Sequence, residues 1–438
     1  MRRIWLVLSA AFMADGAPAN AQGLDISAVL EARYAFGTQS GRSQSAELEF
    51  RPKWDLAFSD AWEFRGEVRI RADAFDRLEV GRPSQETISA LTKRVLIGQS
   101  TEIELREAYL QYSGDLSTVR IGKQQIVWGR SDGIKVLDIV NPQSYREFVL
   151  DDFDQSRTPL WSLLLERTIG GLDFQGFWIP DRSFNEAPPR GSVFEITAPE
   201  FVPTFWQAPP YPVSLQETER PQGGLNASEV GFKVSGLIGN WDFSLNYLHT
   251  FEDTPFFDLE IVPPALAITS KFNRVDILGG SFANSWGDFT VRGEATYTMD
   301  ANIPVGLLPS DTLTPARSDV FKYLIGIDYF GIPDTFVSAQ FFQKINMSKV
   351  PNALSPDVEE LSTVTVRHDL PGGDWQLDFR WYANHDSNDG LFRMLAKRRI
   401  NDRMTASVGG DFFYGRKDGI FGQFREADRV HFSVAYHY

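Results

Sequence analysis

From Ser45 to Phe58 every second side chain is apolar. Ala46, Leu48, Phe50, Pro52, Trp54, Leu56 and Phe58 take one parity, while Glu47, Glu49, Arg51, Lys53 and Asp55 take the other. The next segment repeats the pattern, with Trp62, Phe64, Gly66, Val68, Ile70 and Ala72 against Glu63, Arg65, Glu67, Arg69, Arg71 and Asp73. Side chains two apart share one face of a strand, so each segment reads as a strand with one apolar and one polar face. The polar face is dense in both charge signs, and the apolar face begins and ends in aromatics. That combination fits lipid on the outside and a wet lumen inside, rather than a soluble sandwich.

The rhythm runs to the end of the chain and predicts about eighteen strands. They fall near 25–36, 45–58, 62–75, 101–113, 118–128, 159–168, 172–179, 229–236, 241–250, 274–284, 287–297, 319–330, 335–344, 359–369, 375–385, 391–400, 404–414 and 429–438. Parity breaks near Arg106-Glu107, which implies a bulge, and the segments 159–168 and 391–400 alternate poorly. Connections after even strands are short, such as Ser59-Asp60-Ala61, Gly114-Asp115, Gly170-Gly171, Gly239-Asn240 and Asn401-Asp402. Those after odd strands are mostly longer: 76–100, 129–158, 180–228, 251–273, 298–318 and 345–358. Short turns on one side and long loops on the other are the mark of a barrel crossing an outer membrane. In the last segment Val430, Phe432, Val434, Tyr436 and Tyr438 take the outward parity, and this strand must pair with the first to leave no edge.

Composition agrees with that reading. Aromatic residues make up 13% of the chain, led by 34 Phe, although mean hydropathy is slightly polar. Past the start, no apolar run approaches the roughly 20 residues of a spanning helix. Met1 to Ala21 has a basic start at Arg2-Arg3, an apolar run from Ile4 to Met13 and a small-residue site at Ala19-Asn20-Ala21, the anatomy of a secretory signal peptide. The expected division is therefore a signal peptide over 1–21 and a barrel over 22–438. Setting aside Arg2, Arg3 and Asp15 leaves 41 basic against 57 acidic residues, a net −16, which argues against nucleic acid as a partner. The absence of cysteine excludes disulfides and thiolate chemistry.

Two stretches carry a resemblance: Leu105-Arg106-Glu107-Ala108-Tyr109-Leu110, and Arg120-Ile121-Gly122-Lys123-Gln124-Gln125-Ile126-Val127-Trp128-Gly129. Asp132-Gly133, Asn141-Pro142, Arg146-Glu147-Phe148 and Pro159-Leu160-Trp161 extend it. Together they resemble a proteobacterial family of porin-like outer-membrane proteins of unknown function, and the first two motifs are more distantly similar to alginate-export barrels. The resemblance implies a Gram-negative outer-membrane location and the barrel fold, and it carries over no established catalytic residues and no established substrate. The expected partners of such a barrel are outer-membrane lipid and lipopolysaccharide, a small solute, and the barrel-assembly machinery, which reads the terminal strand Arg429 to Tyr438.

The family's densest motifs surround the connection 129–158, the third external loop. In general porins the corresponding loop folds into the lumen and faces a ladder of arginines. The candidate constriction here sets Arg130, Asp132, Arg146, Glu147, Asp151, Asp152 and Asp154 of the loop against Arg65, Arg69, Arg71, Arg120, Arg292 and Arg380 of the strands, with Arg51 and Lys53 as further lumen-facing bases. Opposed charges across a narrowing orient polar solutes and exclude apolar ones. The alternative is a loop lying over the rim, whose acids bind divalent ions between lipopolysaccharides.

The remaining candidates are weaker. Loop 180–228 interleaves prolines with Phe194, Phe201, Phe205, Trp206 and Tyr211; it is either a solute-gripping surface or a rigid cap, and loop 251–268 shares either role. His385-Asp386-Ser387-Asn388 is similar to a stretch of outer-membrane phospholipases, but no asparagine completes the triad on the next strand. Five histidines without metal spacing argue against a metal site, and the chain has no room for a large N-terminal plug. The expected protein is a porin-like channel for small or medium polar or anionic solutes, with no enzymatic activity and no cofactor. The alternatives are a transport barrel for polysaccharide or hydrophobic compounds and, behind it, a phospholipase.

Overall fold

The computed structural model describes residues 23–129, 131, 133–205, 209, 211–222, 227–262, 264–306 and 316–438. The expected signal peptide lies outside the described residues. Eighteen antiparallel strands form the wall: β1 (Leu24–Gly37), β2 (Arg42–Ala57), β3 (Trp62–Asp73), β4 (Thr101–Ser113), β5 (Ser117–Gln124), β6 (Leu160–Ile169), β7 (Leu172–Ile179), β8 (Glu229–Ile238), β9 (Trp241–Phe251), β10 (Arg274–Trp286), β11 (Phe289–Asn302), β12 (Arg317–Ile332), β13 (Thr335–Asn346), β14 (Val358–Asp369), β15 (Trp375–Asn384), β16 (Asp389–Asn401), β17 (Met404–Tyr414) and β18 (Arg429–His437). Each pairs with its neighbour in sequence, and β1 closes on β18 from Val29↔His437 to Gly37↔Arg429. Closure gives every wall strand a partner on both sides, the condition for a sheet to sit in hydrocarbon. A short strand, Val95–Ile97, adds to β4, and Val213–Leu215, Phe256–Val262 and Ala265–Lys271 form a separate three-stranded sheet in the long loops.

The outward parity carries the apolar residues. Ile121, Phe232, Leu245, Phe282, Ile325, Ile327 and Phe432 are all exposed, a surface that lipid rather than water must cover. Near the short turns a girdle forms, with ring centroids 5.0 Å apart at Trp62–Tyr112, 5.4 Å at Trp241–Trp286 and 4.6 Å at Phe289–Tyr329. At the turn Gly170-Gly171 both residues have positive φ, 62° and 83°, which only a pair such as Gly-Gly adopts without cost and which matches the twist of a hairpin.

The bulge falls where parity breaks: Glu67 faces Glu107 and Val68 faces Leu105, so Arg106 is the extra residue. Some expected boundaries move. The strand expected over 118–128 ends at Gln124, because Asn141 draws the Ile126 amide away through a 2.8 Å bond to its Oδ1. The turn expected at 285–286 sits at Gly287-Asp288, where Gly287 has φ +56°. β11 and β12 run further outward than expected, to Asn302 and from Arg317.

Candidate functional site

The loop between β5 and β6, residues 125–159, lies inside the barrel. Its first residues are apolar, and part of the inner wall is apolar too. Ile126, Trp128 and Val140 are buried against Leu160, Leu164, Phe177, Ile179 and Leu248, and Trp128 Nε1 donates to Gln175 Oε1 at 2.6 Å. The loop then crosses to the far wall. The Leu137 amide donates to Glu294 Oε2 on β11 (3.1 Å), and Gly133 runs so close to β14 that a Cβ there would stand 3.1 Å from Thr363 Oγ1. Val136, Phe148 and Leu150 pack with Leu324, Phe342, Leu361, Leu391 and Phe413 of the strands, and with Phe194, Phe421 and Phe424 of two other loops.

Charge fastens the loop between these apolar ends. Arg146 and Glu147 are both buried. Arg146 bonds Glu47 of β2 and lies 3.6 Å from Glu79. Glu147 accepts from Arg429 of β18 at 2.7 Å and Arg33 of β1 at 3.5 Å, and Arg429 is held in turn by Asp411 at 2.8 Å. Arg393 of β16 donates to the Val149 and Leu150 carbonyls (3.3 and 2.8 Å), and Arg106 to the Asp154 carbonyl (2.8 Å). Burial pushes the Glu147 carboxyl up, but Arg429, Arg33 and Arg146 outweigh it and hold the group well below the usual carboxylate range. Asp151 goes the other way: burial first, and then the nearby Glu147, raise its carboxyl.

The network continues along the wall into a second loop. Arg94, from the connection 74–100, meets Glu186 at 2.5 Å and Glu102 at 3.5 Å. Arg71 bonds Glu102, and Arg69 bonds Glu104 at 2.6 Å. The expected arginines are thus lumen-facing, but most are already paired on the wall. Arg65 lies 2.5 Å from Asp55, Arg120 3.4 Å from Glu166, and Arg292 3.2 Å from Asp328, all toward the short-turn end. Arg380 lies 2.9 Å from Asp378. Arg130 and Asp132 lie outside the described residues. Arg33, Arg94, Arg367, Arg393 and Arg429 complete the site and were not among the expected residues; the inward parity of those on strands was the available signal.

Where the loop's acids do face arginines, a cavity of about 710 Å³ separates them. Asp151 and Asp152 of the loop line it together with Arg367, Arg380, Arg393, Asp328 and Asp369 of the wall and with Phe330, Phe336 and Tyr382. Asp152 caps the short helix Phe153–Ser156 without a side-chain bond, and Asp154 receives the Gln155 amide at 3.0 Å.

Of the aromatics of loop 180–228, Phe194 is buried against Phe413 and Phe424, and Phe184 is buried too, stacked on Phe272 with centroids 3.5 Å apart. Phe201 and Phe205 are half-buried, Phe201 lining a cavity with Phe256 and Phe257 of loop 251–268, and Tyr211 is exposed. Trp206 lies outside the described residues. His385 Nε2 is bonded to Ser362 Oγ at 2.8 Å, while Ser387 donates to Asp389, so the two have separate partners rather than a shared one.

Residues 40–438 match the model of a family described as protein of unknown function, DUF1302. No curated protein is significantly similar in sequence. Among solved structures, OccAB2 of Acinetobacter baumannii is similar with a TM-score of 0.55 at 8% identity, covering 96% of this chain and 99% of that one. OccAB4 of the same organism gives 0.54 at 9% identity over 96% and 100%. The outer membrane protein opdK of Pseudomonas aeruginosa gives 0.51 at 10% identity over 95% and 98%. The shared fold is that of Gram-negative outer-membrane porins, and with its lipid-facing band and aromatic girdle this chain is an outer-membrane β-barrel.

Proposed function

The chain belongs to the DUF1302 family, and from that premise we propose that it is a porin-like channel for small or medium polar or anionic solutes, with the loop 125–159 as its constriction. The observation that carries this reading is the position of that loop. It is held across the lumen by ion pairs and carbonyl bonds to β1, β2, β4, β16 and β18, and it leaves a cavity of about 710 Å³ where its own acids and wall arginines share one lining. A fixed transverse pair of opposite charges aligns a polar solute and penalises an apolar one, which would lose water without gaining a partner. Polysaccharide export fits less well, since it asks for a wide lumen and this one is occupied by several inward-packed loops. The expected signal peptide and the assembly role of the terminal strand remain part of the proposal.

Planar-bilayer recording tests the reading. Asp151→Ala with Asp152→Ala removes the loop's acids from the passage and leaves its arginines, so reversal potentials in a salt gradient are expected to shift toward anion selectivity. An unchanged reversal potential would take those carboxylates out of the conduction path. A barrel that never conducts would overturn the channel itself.

A further inference from the structure

The chamber beside Asp152 is built for more than bulk passage. Arg367 and Arg380 share one carboxylate, Asp378, at 3.3 and 2.9 Å. Arg367 engages it through Nε, and its side chain is 40% exposed, so its two terminal nitrogens face the cavity with donors to spare. The Asp152 carboxylate has no hydrogen bond or ion pair among the described residues, and Asp152 also lines the cavity. Beside Arg367 lies an aromatic pair. Phe330 and Phe336 stand 5.3 Å apart, and the Arg367 guanidinium sits 5.8 Å from the Phe336 ring. The chamber's volume of about 710 Å³ lies within the roughly 300–1,000 Å³ of small-molecule sites. A second cavity of about 280 Å³, beside the turn Pro333-Asp334, shares Phe330, Phe336 and Arg367 with it, so the chamber continues to the short-turn rim.

Resting on the channel reading above, we propose that this chamber is a binding subsite for compact zwitterions with an aromatic or otherwise apolar body, of the chemical class of an aromatic amino acid. The carboxylate would take the terminal nitrogens of Arg367, a fork geometry that suits two oxygens. The ammonium would take Asp152, and the ring would lie on Phe330 and Phe336. A simple anion satisfies only the arginine side and is repelled by Asp152; a simple cation satisfies only Asp152. Both leave one charge of the site without its partner, which separates this class from either.

The test uses the full-length barrel and three probes of one shape: L-phenylalanine, phenylacetate and 2-phenylethylamine. Binding is measured by equilibrium dialysis on the detergent-solubilised barrel, and block of current in planar bilayers. Phenylalanine is expected to bind saturably and to block at concentrations about tenfold below either monopolar analogue. Arg367→Gln is expected to weaken phenylalanine about tenfold without weakening 2-phenylethylamine, and Asp152→Asn to weaken phenylalanine about tenfold without weakening phenylacetate, since each variant also removes the charge that repels its monopolar probe. Equal affinity for all three, or no saturable phenylalanine binding, overturns the subsite even if the barrel conducts. Saturable binding to a barrel that does not conduct keeps the subsite and removes the channel reading instead.

Discussion

Glu147→Gln is expected to unlatch the loop that crosses the lumen. The substitution keeps shape and removes the charge that Arg429, Arg33 and Arg146 converge on. Breaking a buried ion pair by neutralising one partner typically costs about 3–5 kcal/mol, because the other charge is left without compensation. Here the lower end applies, since Arg429 keeps Asp411, Arg146 keeps Glu47 and the Arg33 side chain is 28% exposed. A loss of about 3 kcal/mol changes the ratio of docked to undocked loop by about a hundredfold. Single-channel records should then show frequent long openings to a larger conductance, and protease added from the external side should cut within 125–159. Records and cleavage identical to the parent protein would mean that Glu147 does not hold the loop.

The pH dependence follows from the same groups. Glu147 has a folded value below its unfolded one, so its contribution to docking is complete above about pH 4 and is lost only as pH falls through the depressed folded value. Asp151 is raised, so protonating it relieves a buried charge and its repulsion with Glu147 and favours the docked loop as pH falls through that raised value. The parent loop should therefore stay closed, or close further, between pH 7 and about pH 5. In Glu147→Gln the loss of docking at strongly acidic pH should disappear.

Phe148→Ala is expected to cost about 3–5 kcal/mol, the price of deleting a buried aromatic side chain. The ring is 4.6 Å from Phe424, 5.7 Å from Phe421 and 6.4 Å from Phe413, and it fixes the apolar half of the loop as Glu147 fixes the charged half. Its backbone has φ +55°, a strained conformation for a bulky residue, costing about 1–3 kcal/mol. Alanine loses the ring and keeps the strain; glycine loses the ring and relieves the strain. Phe148→Gly should therefore be no less stable than Phe148→Ala, although glycine usually costs more. Urea unfolding of the two variants in lipid vesicles, followed by tryptophan fluorescence, checks the order. A glycine variant weaker by about 1 kcal/mol would show that the backbone there is not strained by the packing of the ring.

The barrel was legible because lipid imposes one rule on every strand: apolar outward. That rule located all eighteen strands, including the bulge at Arg106, which announced itself as a break in parity. It failed where the inner face is apolar as well. The segment 159–168 alternates poorly because Leu160 and Leu164 point inward onto Ile126 and Trp128 while Trp161, Leu163 and Leu165 point outward. Leu391 blurs 391–400 in the same way, by joining the central apolar cluster. Ile126 and Trp128 read as strand for that reason; they pack instead on the inner face of the neighbouring strands β6, β7 and β9. Parity also placed each inward charge on the wall without telling which charge it meets. Arg429 and Glu147 are 282 positions apart, and only the closure of β18 on β1 brings Arg429 and Arg33 together over the loop.

The central claim is that the loop 125–159 narrows a conducting lumen, and a single thiol tests it most directly. The chain has no cysteine, so Asp152→Cys introduces the only one. The variant is placed in a planar bilayer and exposed to an anionic methanethiosulfonate reagent, with mass spectrometry confirming modification. The expected result is a stepwise, lasting fall in single-channel current that a reductant reverses. Complete modification with no change in current would contradict the claim, for it would place Asp152 outside the path that solutes take.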